Sequence, residues 1–201
     1  VISNCRAIAV FHVLREGLRS PSASGSGVVI TRLHDTQWSG PAAIVVDVDL
    51  PEGIDVADIV IAINNKDDLD AVSRQSEMPG KGLDLEPGPI PESDAYAAHM
   101  RKTPRESMAN LLYAKSKGHL LHLDLRHLLI RPADQENEKF YGVPGVSVEE
   151  ILSGQVKSPS DAPAQLNRTL NALEQPNSSL SGLPKAGNCP GDRRIRAPKP
   201  L

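Results

Sequence analysis

Aromatic side chains are scarce in this chain of 201 residues: one tryptophan, two phenylalanines and three tyrosines, 3% in all. A platform that stacks the bases of single-stranded nucleic acid needs several aromatics close together. Phe11, Trp38, Tyr96, Tyr113, Phe140 and Tyr141 are too few and too scattered for that role. With 39% apolar residues, the core must be packed from aliphatic and small side chains. Only two cysteines occur. Cys5 sits in an apolar run and reads as a buried small hydrophobe, and Cys189 lies among prolines and glycines. A reduced, cytoplasmic setting is favoured over a bridge between them. No run reaches the roughly 18 apolar residues of a spanning helix, because Arg6 and Arg15 interrupt the first candidate. No secretory cleavage pattern is visible, and the chain opens on Val1 rather than Met, as a fragment or a processed product would. A glycine-rich loop ending in Lys-Ser/Thr is missing, so nucleotide hydrolysis has no support.

What is present is unevenly charged. The net charge of −3 resolves into +2 over residues 1–41, −10 over 42–98, +1 over 99–175 and +4 over 176–201. A continuous basic footprint for nucleic acid is therefore absent. An anionic partner would have to meet the first or third segment, or the tail, since the middle repels it.

Two units are expected: a folded domain over residues 1–175 and a disordered, basic Pro/Gly-rich tail over 176–201. The β-branched run Gly27–Leu33 predicts a strand, and Ala42–Val46 a second that pairs with it as a hairpin. Ala57–Ile63 is nearly all apolar and predicts a strand buried on both faces. A short helix carrying Leu69 and Val72 should follow Asn64-Asn65-Lys66. The four prolines and three glycines of residues 78–91 predict an irregular loop. Thr103-Pro104-Arg105-Glu106 has the pattern of a helix start, and His119–Ile130 a partial strand alternation. Ser147-Val148-Glu149-Glu150 is a second capping box, and Leu166, Leu170 and Leu173 share one face of a last amphipathic helix.

Several segments, in order, resemble a known family. They are Asn4–Gly17, an apolar run closed by a basic residue and glycine; Gly25–Leu33, a glycine–strand–Arg element; and Trp38-Ser39-Gly40-Pro41. Asp58-Ile59-Val60-Ile61, Ala114-Lys115-Ser116-Lys117-Gly118, Phe140-Tyr141-Gly142 and Glu150–Gly154 follow. Together they are similar to the SYLF domain of the yeast LAS-seventeen-binding type. The resemblance implies an α+β fold, a mostly antiparallel sheet or barrel-like core with flanking helices. It also implies a strand, not a helix, before Lys115, and that reading is preferred. The match begins without the amphipathic segment that commonly precedes the domain. It departs from the family where glycines give way to Asp, Glu and Pro, over Val45–Gly53 and Gly82–Gly88, and to His119–His127 after Gly118.

In function the resemblance implies a non-enzymatic peripheral adaptor that binds phosphoinositide-containing membranes and is linked to actin or the endocytic machinery. The alternative is an actin-associated or protein-scaffold module with little lipid binding. Acidic phospholipid headgroups, actin and actin-patch proteins are the expected partners, with no cofactor and no nucleic acid. The location would be cytoplasmic, peripheral at membrane or cortical actin. Lys115 and Lys117, placed on one strand face and helped by Arg32 and Arg126, are the candidate headgroup ligands. Trp38 is either an interfacial anchor or the packed end of a hairpin. His119, His122 and His127 lack the convergent spacing of a zinc site, and Cys5 with His12 lacks the third group of a thiol nucleophile. Asp67, Asp68 and Asp70 read as a helix's acidic first turn rather than a calcium loop.

Overall fold

The computed structural model describes residues 2, 5–17, 20–34, 37–73, 83–88, 109–123, 125–159 and 162–174. The strands are β1 (Ala7–Arg15), β2 (Ser22–His34), β3 (Gln37–Trp38), β4 (Ala42–Asp49), β5 (Val56–Ile63), β6 (Leu85–Pro87), β7 (Asn110–Ser116), β8 (His119–Leu121) and β9 (Arg126–Pro132). The helices are α1 (Lys66–Ser73), α2 (Asp134–Tyr141), α3 (Val148–Leu152) and α4 (Ala162–Glu174).

Seven strands run in the order β6-β7-β5-β1-β2-β4-β9, with β3 on β2 and β8 on β7. All pairings are antiparallel except β6 with β7. The sheet curls into a half-barrel, so the fold is α+β as the resemblance implies. Gly25 and Gly27 permit the curl. A Cβ on Gly25 would stand 1.8 Å from the His12 carbonyl oxygen, and one on Gly27 2.1 Å from that of Val10. Only glycine lets β2 lie this close to β1.

The concave face holds the main core. Ala7, Ala9, Phe11 and Val13 of β1 alternate inward with Ile44, Val46 and Val48 of β4 and Ile59, Ile61 and Ile63 of β5. Leu69 and Val72 of α1 and Val148, Ile151 and Leu152 of α3 fill the hollow. Among the described residues, Phe11, Trp38 and Tyr141 are the only aromatics in the buried apolar set, so the core is aliphatic as composition required. The convex face is covered at one end. There Ile8, Ile30, Ala62 and Leu111 pack under Leu166 and Leu170 of α4.

Strands β2, β4 and β5, the β2–β4 pairing, α1 and α4 lie where the sequence placed them, though the Leu173 side chain is outside the described residues. The Ser147 box is complete: its hydroxyl accepts from the Glu150 N–H, and the Glu150 carboxylate accepts from the Ser147 N–H at 2.9 Å. The first turn of α1 is acidic, with Asn65 Oδ1 accepting from the Asp67 N–H at 2.9 Å. The strand preferred before Lys115 is β7, beginning at Asn110, while the Thr103 capping pattern lies outside the described residues. Two expectations change. Residues 119–121 and 126–130 fall in two separate strands, β8 and the start of β9. Within the supposed loop 78–91, residues 85–87 are a strand, because they pair with β7. The tail, 176–201, lies outside the described residues.

Candidate functional site

Most signature segments prove to hold one another. Tyr141 of α2 donates its hydroxyl hydrogen to the Pro41 carbonyl at 3.0 Å, and a Cβ on Gly40 would collide with that hydroxyl. Burial pushes the Tyr141 pKa up to about 12, so the group stays a donor. Ser39 Oγ accepts from the Thr31 N–H at 3.0 Å. The Thr31 hydroxyl in turn donates to the Leu152 carbonyl, and a Cβ on Gly154 would press on Leu33. The Trp-Ser-x-Pro, Phe-Tyr-Gly and Glu150–Gly154 segments thus pin α2 and α3 to β2 and its connection to β4.

Arg32 and Trp38 belong to this packing. The guanidinium carbon of Arg32 stands 4.3 Å from the centroid of the Trp38 ring. Its Nε donates to the Cys5 carbonyl at 3.2 Å and a terminal nitrogen to the Ile2 carbonyl at 2.7 Å. Trp38 is 3% exposed, which closes its face to solvent. Cys5 is a buried free thiol that donates to the Ile2 carbonyl at 3.2 Å, and burial raises its pKa to about 11. That is an unreactive thiol.

Lys115 and Lys117 lie at the other end of the sheet. Thr31 of β2 pairs with Ala7 and Ala23 with Arg15, so the two ends are eight β1 residues, about 26 Å, apart. Lys115, the last residue but one of β7, lies directly across from Asp58 of β5. Lys117 is not on the strand face but in the turn. With φ of 50° and 84°, Lys117 and Gly118 make a two-residue loop between paired Ser116 and His119, the left-handed geometry that suits a twisted hairpin and favours glycine. Lys117 Nζ lies 3.9 Å from Asp55 Oδ2, with both side chains about half exposed; at that exposure the pair adds little stability. Arg126 opens β9 opposite Asp49 at this same end, and its side chain is outside the described residues. The sheet therefore brings Lys115, Lys117 and the Arg126 backbone to one end, and Arg32 with Trp38 to the other.

A neighbouring guanidinium, Arg15, is structural. Its nitrogens donate to the carbonyls of Ile54, Leu50 and Pro51 at 2.6–3.2 Å and to that of Ser20, and it lies 3.5 Å from Asp55. It ties the end of β1 to the β4–β5 loop.

Among the described residues, a trough of about 530 Å³ lies open on the convex face, which sequence reasoning did not single out as a site. Antiparallel register builds its floor. Ser26, His12, Asp58 and Lys115 form one row across β2, β1, β5 and β7, and Val10, Val60 and Tyr113 form the next across β1, β5 and β7. His12 Nδ1 lies 3.0 Å from Asp58 Oδ1. Leu120, paired with Lys115, forms a wall. Val10, Leu14 and Leu120 are 43%, 52% and 57% exposed, on the same face as the cluster that α4 covers at one end. Among the described residues, no three of His, Cys, Asp or Glu converge on a metal position. No described helix is long and apolar enough to cross a membrane.

A curled antiparallel sheet, closed inside by its own signature segments and open outside along an apolar lane, defines a compact α+β surface-presenting domain. The profile of the Ysc84 family, described as Las17-binding protein actin regulator, matches residues 46–173. The chain belongs to this family, whose domain is the SYLF domain. It is 31% identical over 166 residues to Protein YSC84 of Saccharomyces cerevisiae, covering 81% of this chain and 35% of that protein. It is 29% identical over 169 residues to SH3 domain-containing YSC84-like protein 1 of Xenopus laevis, covering 81% of this chain and 48% of that protein. LAS seventeen-binding protein 3 of Saccharomyces cerevisiae is 28% identical over 163 residues, covering 79% of this chain and 35% of that protein. The chain thus spans about a third to a half of the relatives it matches. No solved structure matches it.

Proposed function

We propose that this chain is an actin-associated adaptor domain, acting at cytoplasmic or cortical sites by docking a protein partner rather than by catalysis. The supporting observation is the family match over residues 46–173, described by Las17 binding and actin regulation. The open convex face offers surface for such contacts, while the signature segments at Trp38 and Tyr141 are occupied in packing. Co-sedimentation with actin filaments, for the full chain and for residues 1–175, tests this reading. Filament binding by both assigns the activity to the folded unit. Binding lost with residues 176–201 moves it to the basic tail, and no binding by either removes the actin reading.

A second reading follows from the turn tip. Lys117 is half exposed and stands on the hairpin that presents Leu120, a cation beside an exposed aliphatic group. That pairing suits the surface of a phosphoinositide-containing membrane, with Lys115 and Arg126 at the same end. Asp55 and Asp58 lie beside these lysines and oppose it. Sedimentation with vesicles with and without phosphoinositides decides. Binding that requires the anionic lipid and fails in the Lys115→Glu/Lys117→Glu double variant supports headgroup contact, and binding indifferent to both rejects it.

A further inference from the structure

The unmet hydrogen bonds of this domain gather at one helix. Among the described residues, the buried side-chain nitrogens and oxygens without a hydrogen-bond partner are Trp38 Nε1, Ser158 Oγ, Asn167 Oδ1 and Asn171 Oδ1. Each belongs to α4, to the connection into it or to the cluster beneath it. Asn167 and Asn171 stand one position round the helix from Leu166 and Leu170, the pair that α4 seats in the cluster of Ile8, Ile30, Ala62 and Leu111. Trp38 lies in that same cluster. Ser158 stands between Val156, which packs on the concave core, and the start of α4 at Ala162. A polar atom that leaves water and finds no partner opposes the burial around it. The two leucines therefore hold α4 down against the desolvation of its own amides. The other helices are clipped to the sheet by matched polar bonds. Asn110 of β7 donates to Asp68 of α1, Asn137 and Tyr141 of α2 bond to Ala43 and Pro41, and Thr31 of β2 donates to Leu152 of α3.

We propose that α4 is a releasable strap: it leaves the convex face as a unit while the sheet and α1–α3 stay folded, and so governs exposure of the apolar cluster beneath it. Release joins two surfaces. Val60 and Tyr113 pack against the covered cluster and also line the trough, so lifting α4 extends the trough's apolar lane to Ile8, Ile30 and Leu111. Val156 stays on the concave core, so the chain pivots after it, where Lys157 and Pro159 are exposed. The strap follows from the packing of this chain alone and stands whether or not the adaptor reading above holds.

The test is native-state hydrogen exchange of the full chain, read by mass spectrometry. Amides of residues 164–172 should be about tenfold or more less protected than those of β1 and β5. Asn167→Leu and Asn171→Leu each remove an unmet oxygen. Each should slow exchange in α4 about tenfold, beyond the roughly twofold that leucine's higher helix propensity brings, and leave β1 and β5 unchanged. Gln165→Leu, at an exposed position of the same helix, should change neither. Leu170→Ala should speed exchange in α4 alone. Cys5 separates release from fraying in place. It is buried in the cluster under α4, and in a Cys189→Ser chain it is the one remaining thiol. Its reaction with a maleimide should slow in the two asparagine variants and quicken in Leu170→Ala, in step with exchange in α4. If Leu170→Ala fails to fold by circular dichroism, the asparagine variants decide. The proposal is overturned if α4 is as well protected as β1 and β5, or if the asparagine variants slow it twofold or less. It is overturned equally if Gln165→Leu matches them, or if maleimide labelling of Cys5 ignores variants that change exchange in α4.

Discussion

Buried polar side chains in this domain act as clips on the backbone. Asn137 of α2 is buried, accepts from the Ala43 N–H at 2.7 Å and donates to the Ala43 carbonyl at 3.1 Å. It thereby matches both backbone groups of an outward-facing β4 residue. Asn110 does the same for the start of α1, accepting from the N–H groups of Asn64 and Asn65. Replacing Asn137 by leucine keeps the volume but strands the Ala43 N–H. Desolvated and unpaired, that group makes the variant about 2–4 kcal/mol less stable, read as a lowered urea midpoint with unchanged slope. A second residue-level effect depends on pH. The Ser147 N–H and hydroxyl lower the pKa of Glu150 below its ordinary 4.5. A carboxyl with a lowered native pKa adds stability that is fully present above the unfolded value and fades as pH falls through the native one. Ser147→Ala should therefore be less stable than the wild type by a constant amount above about pH 5.5, and the gap should narrow as pH falls below 4.5. Urea titrations of both proteins across that range check it; a gap that does not change with pH would assign the whole effect to the hydroxyl–backbone bond.

Among the elements, β2 depends most on residues of one type. Its two glycines face Val13 and Phe11 across the ladder, and a methyl group on Gly25 would overlap the His12 carbonyl, which cannot move without breaking the pairing of β1 with β5. Gly25→Ala should cost about 3 kcal/mol or more. The expected readout is loss of cooperative thermal unfolding, while Gly53→Ala, with open space around it, remains cooperative despite its left-handed φ of 83°. The same element was legible in the sequence because its second half, Val28–Leu33, is β-branched and bounded by glycine. β1 was not. Ala7, Ala9 and Phe11 face the inner core while Ile8 faces the cluster under α4 and Val10 and Leu14 are apolar though exposed, so apolar residues on both faces erase the alternation that marks a strand. α2 was missed for the opposite reason. Of Asp134–Tyr141 only Asn137 and Tyr141 are buried, which leaves no apolar stripe to detect. Of the site, the Lys115–Gly118 motif was readable, but the trough was not. Its polar row joins residues 12, 26, 58 and 115, which only the register of four strands brings together. Val10, Leu14 and Leu120 sit in ordinary apolar runs of the sequence, and nothing in the sequence says which of them the helices leave uncovered.

At the scale of the whole molecule, the question is which part of the chain closes the fold. The convex cluster joins residues near both ends of the folded segment: Cys5 and Ile8 from β1 and its approach, Ile30 and Trp38, then Leu166 and Leu170 from α4. Removing α4 would expose Ile8, Ile30 and Leu111 together, beside a trough that already presents Val10 and Leu120. Merging the two makes a single large apolar patch across the sheet, the kind of surface that drives association. Losing the burial of two leucines and of the row beneath them should destabilise the domain by on the order of 4 kcal/mol. The stretch after Glu174 has no comparable apolar periodicity and carries a net charge of +4 over residues 176–201. Two truncations separate these roles. The chain ending at residue 175 should keep the urea midpoint of the full chain within about 0.5 kcal/mol, as a segment without packed apolar groups would. The chain ending at residue 161 should unfold at markedly lower urea and sediment as aggregates. An equal loss in both truncations would mean that the basic tail, and not α4, completes the convex face, and would shift the domain boundary beyond residue 175.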